Sequence, residues 1–399
     1  MTLAPPCLAA RTLTNSEAAR PAYTSPLLRR PGAFAATGAD AGVAAHYGDP
    51  VAEQRALARR SKLVLVDHSN LGLVTVTGED RLTWLTTLST QVLSGLGEGA
   101  STELLLLTPQ GRIEFSAFAV EREGTVWLIT EREQAAPMAD YLNRMKFMLR
   151  VEIADRTDSY AVLGSTLDPR QVEGADAVLA GGTVWVDPWG AGIAPGGYTY
   201  SAAGEGEHPS SAYRRYLTIV PAHRLLDAVE GATLAGSWAA EALRIEAWRP
   251  RVGVDSDEKT IPHELDLLRT AVHLEKGCYK GQETVARVHN LGHPPRRLTF
   301  LDLDGSEHTL PAAGSAVMNG EKKVGVVTSV ALHHEAGPIA LAVLKRTVDP
   351  AAELRVVDEL DRDADGNPVT TVYAASQTLI LAPDAGQVAG RRNMGDFLR

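Results

Sequence analysis

The chain has only two cysteines among its 399 residues, and this scarcity excludes several classes of protein. Cys7 and Cys278 lie far apart, and neither belongs to a Cys-x-x-Cys pair. The chain can therefore form neither a disulfide framework nor a four-thiolate metal site, and we predict no bound metal. Sparse, unpaired cysteines are typical of a reducing compartment, so we expect a cytoplasmic protein.

Long apolar runs and excess positive charge are also missing. The longest apolar stretches, such as Leu104–Leu107 and Ile339–Leu344, are far shorter than the ~18 residues that suggest a membrane-spanning helix. Lys and Arg number 39 against 49 Asp and Glu, and a net charge of −10 repels both anionic lipid and nucleic acid. We expect neither a membrane nor a nucleic acid as a direct partner.

Three common catalytic signatures are absent as well. The chain has no Gly-Lys dipeptide and hence no Walker phosphate loop, no Gly-x-Ser-x-Gly elbow and no His-Glu-x-x-His pair. What remains is an α+β order of elements. Periodicity predicts strands and helices between residues 63 and 154, a second mixed unit from about Tyr160, and a β-rich unit from about Arg296.

The first 45 residues have a different composition from the rest. They are rich in Ala, Pro and Ser, and their arginines resemble those of a transit peptide. They contain no continuous apolar stretch and no amphipathic period, which favours a disordered extension. We therefore expect the folded part to begin at about residue 46.

The most informative stretch is the octet Lys276-Gly277-Cys278-Tyr279-Lys280-Gly281-Gln282-Glu283. Two glycines four residues apart allow an unusual backbone path, and two nearby lysines would favour the thiolate form of Cys278. An exposed thiolate would be reactive. The alternative is a small buried core cysteine, but Gly and Lys are poor neighbours in a core.

This octet resembles the Lys-Gly-Cys-Tyr/Phe-x-Gly-Gln-Glu motif of the YgfZ folate-binding family, which is related to the glycine-cleavage T-protein, an aminomethyltransferase. Other segments agree with the family in the same order along the chain. They are Thr77–Asp80, Thr108–Ile113, Leu243–Ala247, Ile261–Glu264 and Val324–Ser329. The resemblance covers about residues 63–344.

The resemblance implies a three-domain ring around a central folate pocket, with a C-terminal β-barrel. On this basis we expect a disordered extension at 1–45, a first domain at 46–157 completed by about 242–290, a second domain at 158–241, the barrel at 291–385 and a tail at 386–399. The implied cofactor is tetrahydrofolate or a derivative. The implied role is the assembly or maintenance of iron–sulfur enzymes, including tRNA-modifying ones, with iron–sulfur client or assembly proteins as partners.

The resemblance also supplies candidate site residues. Cys278 is the candidate reactive thiolate, with Lys276 and Lys280 beside it. A pterin offers an amino group and a ring N–H side by side, and one carboxylate can accept both hydrogen bonds. Glu246 is our candidate for that carboxylate, and Trp238 could stack on the ring. The alternatives are an exposed ion pair between Glu246 and Arg249 and a core position for Trp238.

Further cofactor candidates come from the octet and from basic residues near the shared segments. They are Gln282, Glu283, Arg244, Arg249, Arg251 and Arg287. The arginines could pair with the carboxylates of the glutamate tail of folate. The alternative for each arginine is a plain surface position.

Two departures from the T-protein bear on chemistry. The catalytic Asp of that family aligns with Ser116, which has no charge and is no base at neutral pH. Glu114 lies on the same face of the predicted strand and could supply a displaced carboxylate. The family's Thr-Asn-Asp segment is Ser89-Thr90-Gln91 here, which removes a second acid. A one-carbon transferase and a non-catalytic folate-binding adaptor therefore remain open alternatives, and so does the question of whether the protein is an enzyme.

Overall fold

The computed structural model describes residues 22–204, 206–362 and 368–384. Its N-terminal segment contains two short 3₁₀ helices and a hairpin of strands β1 (Phe34–Ala35) and β2 (Ala44–His46). Leu27, Val43 and Ala45 of this segment are buried. The predicted disorder of residues 1–45 is therefore wrong for residues 22–45, because a few apolar side chains anchor this segment to the body. Residues 1–21 and the predicted tail at 386–399 lie outside the described residues.

The first sheet is antiparallel and forms from the next part of the chain. In order, residues 50–155 contain α1 (Pro50–Arg59), β3 (Val64–Asp67), β4 (Leu71–Thr77), α2 (Arg81–Leu88), β5 (Ser101–Leu107), β6 (Ile113–Arg122), β7 (Thr125–Glu131), α3 (Arg132–Met145) and β8 (Glu152–Asp155). The strand order is β5-β6-β7-β4-β8. Helix α3 covers this sheet with the buried stripe Ala135, Met138 and Leu142, whose spacing matches one helical face.

Strand β5 explains the run of four leucines noted in the sequence. Leu104 and Leu106 point into the core of the first sheet, whereas Leu105 and Leu107 join a second core at the centre of the molecule. Successive side chains of a strand point to opposite faces, so a strand covered on both faces is apolar throughout. This strand therefore connects the first sheet to the centre.

The second sheet combines one early strand with later ones. Residues 160–246 contain β9 (Tyr160–Ser165), α4 (Ala177–Ala180), β10 (Thr183–Val186), β11 (Tyr216–Pro221), α5 (Leu225–Ala228), β12 (Thr233–Ala235) and α6 (Ser237–Glu246). The strand order is β10-β11-β9-β3-β12, and only the β12–β3 pair is parallel. Helix α6 packs its buried residues Ala239 and Leu243 against Val64 and Val66 of β3.

A closed barrel forms the C-terminal part. Its elements are α7 (Gln282–Leu291), β13 (Arg296–Leu303), β14 (Ala316–Asn319), β15 (Lys322–His333), β16 (Gly337–Lys345), β17 (Leu354–Arg362) and β18 (Pro368–Leu379). The strand order around the barrel is β13-β16-β15-β14-β17-β18, with antiparallel pairs throughout. The predicted α+β class with a C-terminal β-barrel is confirmed.

The first sheet, helix α6 and the barrel meet in a shared apolar core. It contains Leu105 of β5, Ile245 of α6, Leu341 of β16 and, from the long connection between α6 and α7, Leu268 and Val272. The connection thus passes through the middle of the molecule before it reaches the octet. Among the described residues, no helix is both long and apolar enough to cross a membrane.

Candidate functional site

The octet forms a loop seated on the hairpin between β5 and β6. Gly281 has a φ of 86°, and a Cβ at this position would lie only 2.6 Å from the carbonyl oxygen of Thr108. Gly111, at the tip of the hairpin, has a φ of 74°, and a Cβ there would lie 2.8 Å from Cβ of Thr284. Two glycines therefore let the loop and the hairpin touch backbone to backbone.

Lys276 anchors the start of this loop. Its ammonium group donates to the carbonyl oxygens of Thr86 and Ser89, at the end of α2, and to that of Gln91 at 3.2 Å. It also lies 4.9 Å from the centre of the Tyr279 ring. Burial lowers the pKa of Lys276 to about 8. A cation at the C-terminal end of a helix satisfies carbonyl groups that lack partners within the helix.

Lys280 anchors the other end of the loop. Its Nζ lies 2.8 Å from Oε2 of Glu114 on β6 and 5.0 Å from the centre of the Tyr141 ring on α3. Burial by itself would lower the pKa of Lys280, but the hydrogen bond and the charge of Glu114 raise it. The two lysines that flank Cys278 in the sequence thus bind oxygen atoms of the first sheet and of α2.

Cys278 is exposed and unpaired between these two anchors. The alternative of a buried core cysteine is therefore wrong. The neighbouring Tyr279 is buried in the central core, so the loop turns one side chain inward and leaves the thiol outside. The fold holds the loop in place, yet the thiol takes no part in that packing.

The remaining octet candidates begin helix α7. The side-chain amide of Gln282 donates to the carbonyl oxygen of Lys276 at 3.2 Å and so closes the loop on itself. Glu283 and Arg287 are exposed on the first two turns of the helix. The structure therefore brings Cys278, Lys276, Lys280 and Gln282 together in one loop.

A second feature is a narrow cavity between α1, α6 and the second sheet. Its polar wall contains His68, Ser165, Arg215, Glu241 and Arg244. The cavity offers about 30 Å³ to the centre of a water molecule, which is room for a few waters. Small-molecule sites typically enclose roughly 300–1,000 Å³. Binding of a ring system here requires the walls to move apart.

Burial and neighbouring charges set the ionisation of the groups around the cavity. Burial and the guanidinium groups of Arg215 and Arg251 lower the pKa of His68 to about 3, so its imidazole is neutral at physiological pH. Burial would raise the pKa of Glu241, but Arg244 and Arg251 lower it to about 2, so this carboxylate is ionised. The wall therefore offers a carboxylate acceptor, a neutral imidazole and guanidinium donors to a polar heterocycle.

Arg244 forms part of the cavity wall, and its buried guanidinium also bonds to several other parts of the chain. It donates to Glu241 at 2.7 Å, to Asp255 at 2.8 Å and to the hydroxyl of Ser329 in the barrel at 2.7 Å. A fourth bond goes to the carbonyl oxygen of Arg249 at 2.6 Å. With these bonds, Arg244 ties α6 to the barrel.

Glu246 does not line this cavity. Its side chain is 53% exposed at the end of α6, with Oε2 3.4 Å from Nε2 of His333. Nδ1 of His333 accepts the backbone N–H groups of Glu335 and Ala336, which leaves the ring proton on Nε2, facing Glu246. The contact with the His333 imidazole lowers the pKa of Glu246. The contact links α6 to the barrel.

Trp238 also lies away from the cavity. It is 50% exposed at the start of α6, and its ring centre lies 5.3 Å from that of His46 and 6.5 Å from that of Phe34. The alternative of a core position is therefore wrong, because the indole packs on the β1–β2 hairpin at the surface.

The surface alternative is wrong for three of the four arginines. Arg244 and Arg249 are buried, and the side chain of Arg251 is only 13% exposed. Arg249 pairs with Glu103 and Asp187, so its predicted ion pair with Glu246 does not form. Arg251 pairs with Asp40 and Glu131.

The two positions that depart from the T-protein have structural partners. Ser116 is half-buried on β6, where its carbonyl oxygen accepts the hydroxyl of Thr130. Glu114, two residues earlier on the same strand face, is the ion-pair partner of Lys280. The candidate for a displaced carboxylate thus contacts the Cys278 loop.

The Ser89-Thr90-Gln91 segment holds the central connection instead of supplying an acid. The Thr90 hydroxyl donates to the carbonyl oxygen of Ala271 at 2.6 Å, and the Gln91 amide donates to that of Thr270 at 3.0 Å. Both side chains are buried. These bonds fix the chain that leads to the octet.

Sequence reasoning missed His68, Ser165, Arg215 and Glu241. Only the helix that carries Glu241 was selected, through the shared segment at 243–247. His68 lies in the polar turn after β3, and no spacing connects it with Arg215 or Glu241 before the chain folds. Across the described residues, no group of three or more His, Cys, Asp or Glu side chains could hold a metal ion.

Comparisons with known proteins find similar sequences of three kinds. A putative chloroplastic transferase of Arabidopsis thaliana is 27% identical over 289 residues, which are 67% of this chain and 61% of that protein. The tRNA-modifying protein YgfZ of Escherichia coli O127:H6 is 30% identical over 159 residues, 38% of this chain and 48% of that protein. An aminomethyltransferase of Rubrobacter xylanophilus is 29% identical over 301 residues, 71% of this chain and 75% of that protein.

The fold has a match among solved structures. The glycine cleavage system aminomethyltransferase T from Bartonella henselae superimposes with a TM-score of 0.64 and 18% identity, covering 88% of this chain and 94% of that one. No family model matches the chain. The matched segments span about three fifths of the Arabidopsis protein and about half of YgfZ. The chain is similar in sequence to the YgfZ proteins and the aminomethyltransferases and has the T-protein fold, as its motifs predicted.

Proposed function

We propose that the chain is a cytoplasmic tetrahydrofolate-binding protein that supports the assembly or maintenance of iron–sulfur enzymes, including tRNA-modifying ones. Cys278 is the proposed reactive thiolate through which the protein acts on its client proteins. The observation that carries this proposal is the construction of the octet loop. Lys276, Tyr279, Lys280, Gly281 and Gln282 all hold the loop in place, whereas the Cys278 thiol is exposed and supports none of these contacts.

The proposed folate site is the cavity wall. Glu241 would accept the amino group and the adjacent ring N–H of the pterin, the role that the sequence suggested for Glu246 five residues away. Arg244 already binds both oxygens of Glu241, but an ionised carboxylate has about four acceptor positions. Neutral His68 would accept a further hydrogen bond, and Arg215 would face the negative end of the ligand. Bound tetrahydrofolate would supply the one-carbon chemistry.

We expect Glu241→Gln to weaken tetrahydrofolate binding at least about tenfold, since an amide cannot accept both pterin hydrogen bonds. Glu246→Gln is the matched control, on the same helix but outside the cavity, and should change the affinity by less than about twofold. The measurement is calorimetric titration of the purified chain with tetrahydrofolate. Arg215→Met provides a second cavity variant in case Glu241→Gln lowers the thermal midpoint.

The absence of saturable tetrahydrofolate binding by the wild-type chain would contradict the folate part of the proposal. Equal losses for Glu241→Gln and Glu246→Gln would contradict the assignment to the cavity. Binding that weakens only for Glu246→Gln would restore that residue as the pterin carboxylate.

We expect Cys278→Ser to reduce iron–sulfur enzyme activities to the level of cells that lack the protein, while thermal stability and tetrahydrofolate affinity stay unchanged. The reason is that the thiol is exposed and supports none of the loop's contacts. Cys7→Ser is the matched control for loss of a thiol. Unchanged enzyme activities in cells with Cys278→Ser would instead favour the non-catalytic adaptor.

One observation supports the one-carbon transferase as a second candidate. Glu114 lies against the octet loop, where Lys280 binds its carboxylate. A displaced general base at this position would have to leave that ion pair before it could accept a proton. Turnover of an amine donor with tetrahydrofolate, lost in Glu114→Gln and retained in Cys278→Ser, would establish this function.

A further inference from the structure

The chain presents an apolar surface just after helix α3 ends. Phe147 and Met148 are 88% and 85% exposed, and Met145 and Leu149 are each 43% exposed. We call residues 145–149 the apolar tip. Large apolar side chains that lie side by side in solvent mark binding surfaces, whereas single exposed ones do not.

The backbone of the apolar tip is strained. Phe147 has a φ of 43°, a conformation that bulky residues rarely adopt and that Gly or Asn adopts more easily. The strained residue is also the most exposed large apolar side chain of the described chain. Backbone strain persists where a function requires it, so the position of this ring calls for a functional explanation.

The rim of the tip is basic. Arg144, Lys146 and Arg150 lie within residues 143–150, which contain no Asp or Glu. Arg150 pairs with Glu79 and Asp80. Across residues 22–204, 206–362 and 368–384, no carboxylate lies within ion-pair distance of Arg144 or Lys146. In a chain with a net charge of −10, this local excess of positive charge complements an acidic partner.

The apolar tip continues from the part of α3 that the octet loop contacts. Lys280 Nζ is 5.0 Å from the centre of the Tyr141 ring, and Tyr141 lies on α3 one helical turn before Met145. The loop that exposes Cys278 therefore packs against the same end of α3 from which the tip projects. A protein seated on the tip would approach the octet loop from this end of α3.

We propose that the apolar tip docks the protein partner that Cys278 serves. That partner has an apolar pocket for Phe147 and Met148, surrounded by carboxylates that meet Arg144 and Lys146. Aromatic residues, Met and Arg are enriched in protein interfaces, and a few such anchors carry most of the binding energy. The identity of the partner as an iron–sulfur client or assembly protein rests on the proposed function.

The test compares variants in cells that lack the native protein, with iron–sulfur enzyme activity as the readout. Phe147→Asn combined with Met148→Ser removes the apolar anchors, and Asn suits the left-handed backbone at position 147. Arg144→Glu combined with Lys146→Glu reverses the charge of the rim. Leu226→Ser is the matched control, because Leu226 is 49% exposed on α5 of the second sheet. Purified variants are checked for thermal midpoint, tetrahydrofolate affinity and the rate at which iodoacetamide alkylates Cys278.

We expect both double variants to lower the enzyme activity at least about fivefold, with all three purified-protein properties unchanged, because the loss of two anchors weakens docking by at least that factor. Leu226→Ser should be neutral. Wild-type activity in cells carrying Phe147→Asn/Met148→Ser would overturn the docking proposal. If cells with Cys278→Ser then lose iron–sulfur enzyme activity, only the docking proposal fails and the proposed function stands. If cells with Cys278→Ser also keep that activity, both the docking proposal and the proposed function fail.

Two further measurements distinguish other occupants of the tip. Flotation with phosphatidylglycerol vesicles, seen for wild type and lost in Phe147→Asn/Met148→Ser, would show a membrane-binding surface and overturn the proposal. Sedimentation of wild type as a dimer that this variant dissociates would show self-association and overturn it equally. A monomer that does not float, together with the loss of enzyme activity, supports a protein partner.

Discussion

Replacement of Arg249 by methionine is expected to lower the free energy of unfolding by about 3–5 kcal/mol, because it removes the partner of two buried carboxylates. Arg249 is 1% exposed. Its guanidinium donates to both oxygens of Glu103, at 3.2 and 2.7 Å, and to Asp187 at 3.3 Å. Both acids are buried. Chemical denaturation followed by tryptophan fluorescence measures the loss.

The position of this cluster explains why the loss should be global. Glu103 belongs to β5 of the first sheet, Asp187 follows β10 of the second sheet, and Arg249 begins the central connection. The guanidinium also lies 5.0 Å from the centre of the Trp189 ring, so the cation has an aromatic neighbour as well as its acids. Without the cation, the two sheets meet around uncompensated negative charge.

Arg150→Met is the matched control for this experiment. Arg150 also pairs with two acids, Glu79 and Asp80, but its side chain is 68% exposed. Solvent screens that pair, and the loss should be much smaller than that of Arg249→Met. Similar losses for the two variants would contradict the role assigned to the buried cluster.

Sequence reasoning located helix α6 but not the face that meets the cavity. Glu241 and Glu246 lie five residues apart, which is about 140° around a helix of 3.6 residues per turn. Periodicity normally tells the buried face from the exposed one. Here Ala242 and Ile245 face one core, Ala239 and Leu243 face another, and Arg244 is buried as well, because sheet, barrel and α1 all pack on this helix. The acid that faces the cavity could be identified only from the tertiary structure.

The octet shows the same limit of prediction from the sequence. Its sequence predicted an exposed reactive loop with two lysines beside Cys278, and the exposure of the thiol is observed. The direction of each lysine depends on partners about 170 to 190 residues away, at Glu114 and at the end of α2. The folding of residues 22–45 depends likewise on distant apolar contacts such as those of Leu27. Local composition carries no information about such contacts. Regular periodicity along a strand or helix indicates only which of its faces is buried.

The two glycines of the octet should respond very differently to alanine, and Gly281→Ala should lower the free energy of unfolding by about 2–4 kcal/mol. Part of that loss is the strain of a side chain at a φ of 86°. The rest is steric overlap, since the new Cβ would lie 2.6 Å from the carbonyl oxygen of Thr108 and 3.1 Å from Cβ of Leu107. Neither the backbone of Thr108 nor the buried side chain of Leu107 can move aside to make room for the new Cβ.

Gly277→Ala is the matched control within the same loop. No heavy atom of the described residues lies within 4 Å of a Cβ built at Gly277, and its φ lies outside the left-handed range, so its stability should change by less than about 0.5 kcal/mol. Thermal unfolding of both variants measures the difference. Equal stability of Gly281→Ala and wild type would contradict the seating of the loop on the β5–β6 hairpin. Loss of iron–sulfur enzyme activity in cells with the stable Gly277→Ala variant would show that a partner or ligand approaches the backbone next to Cys278, because the free chain leaves that space open.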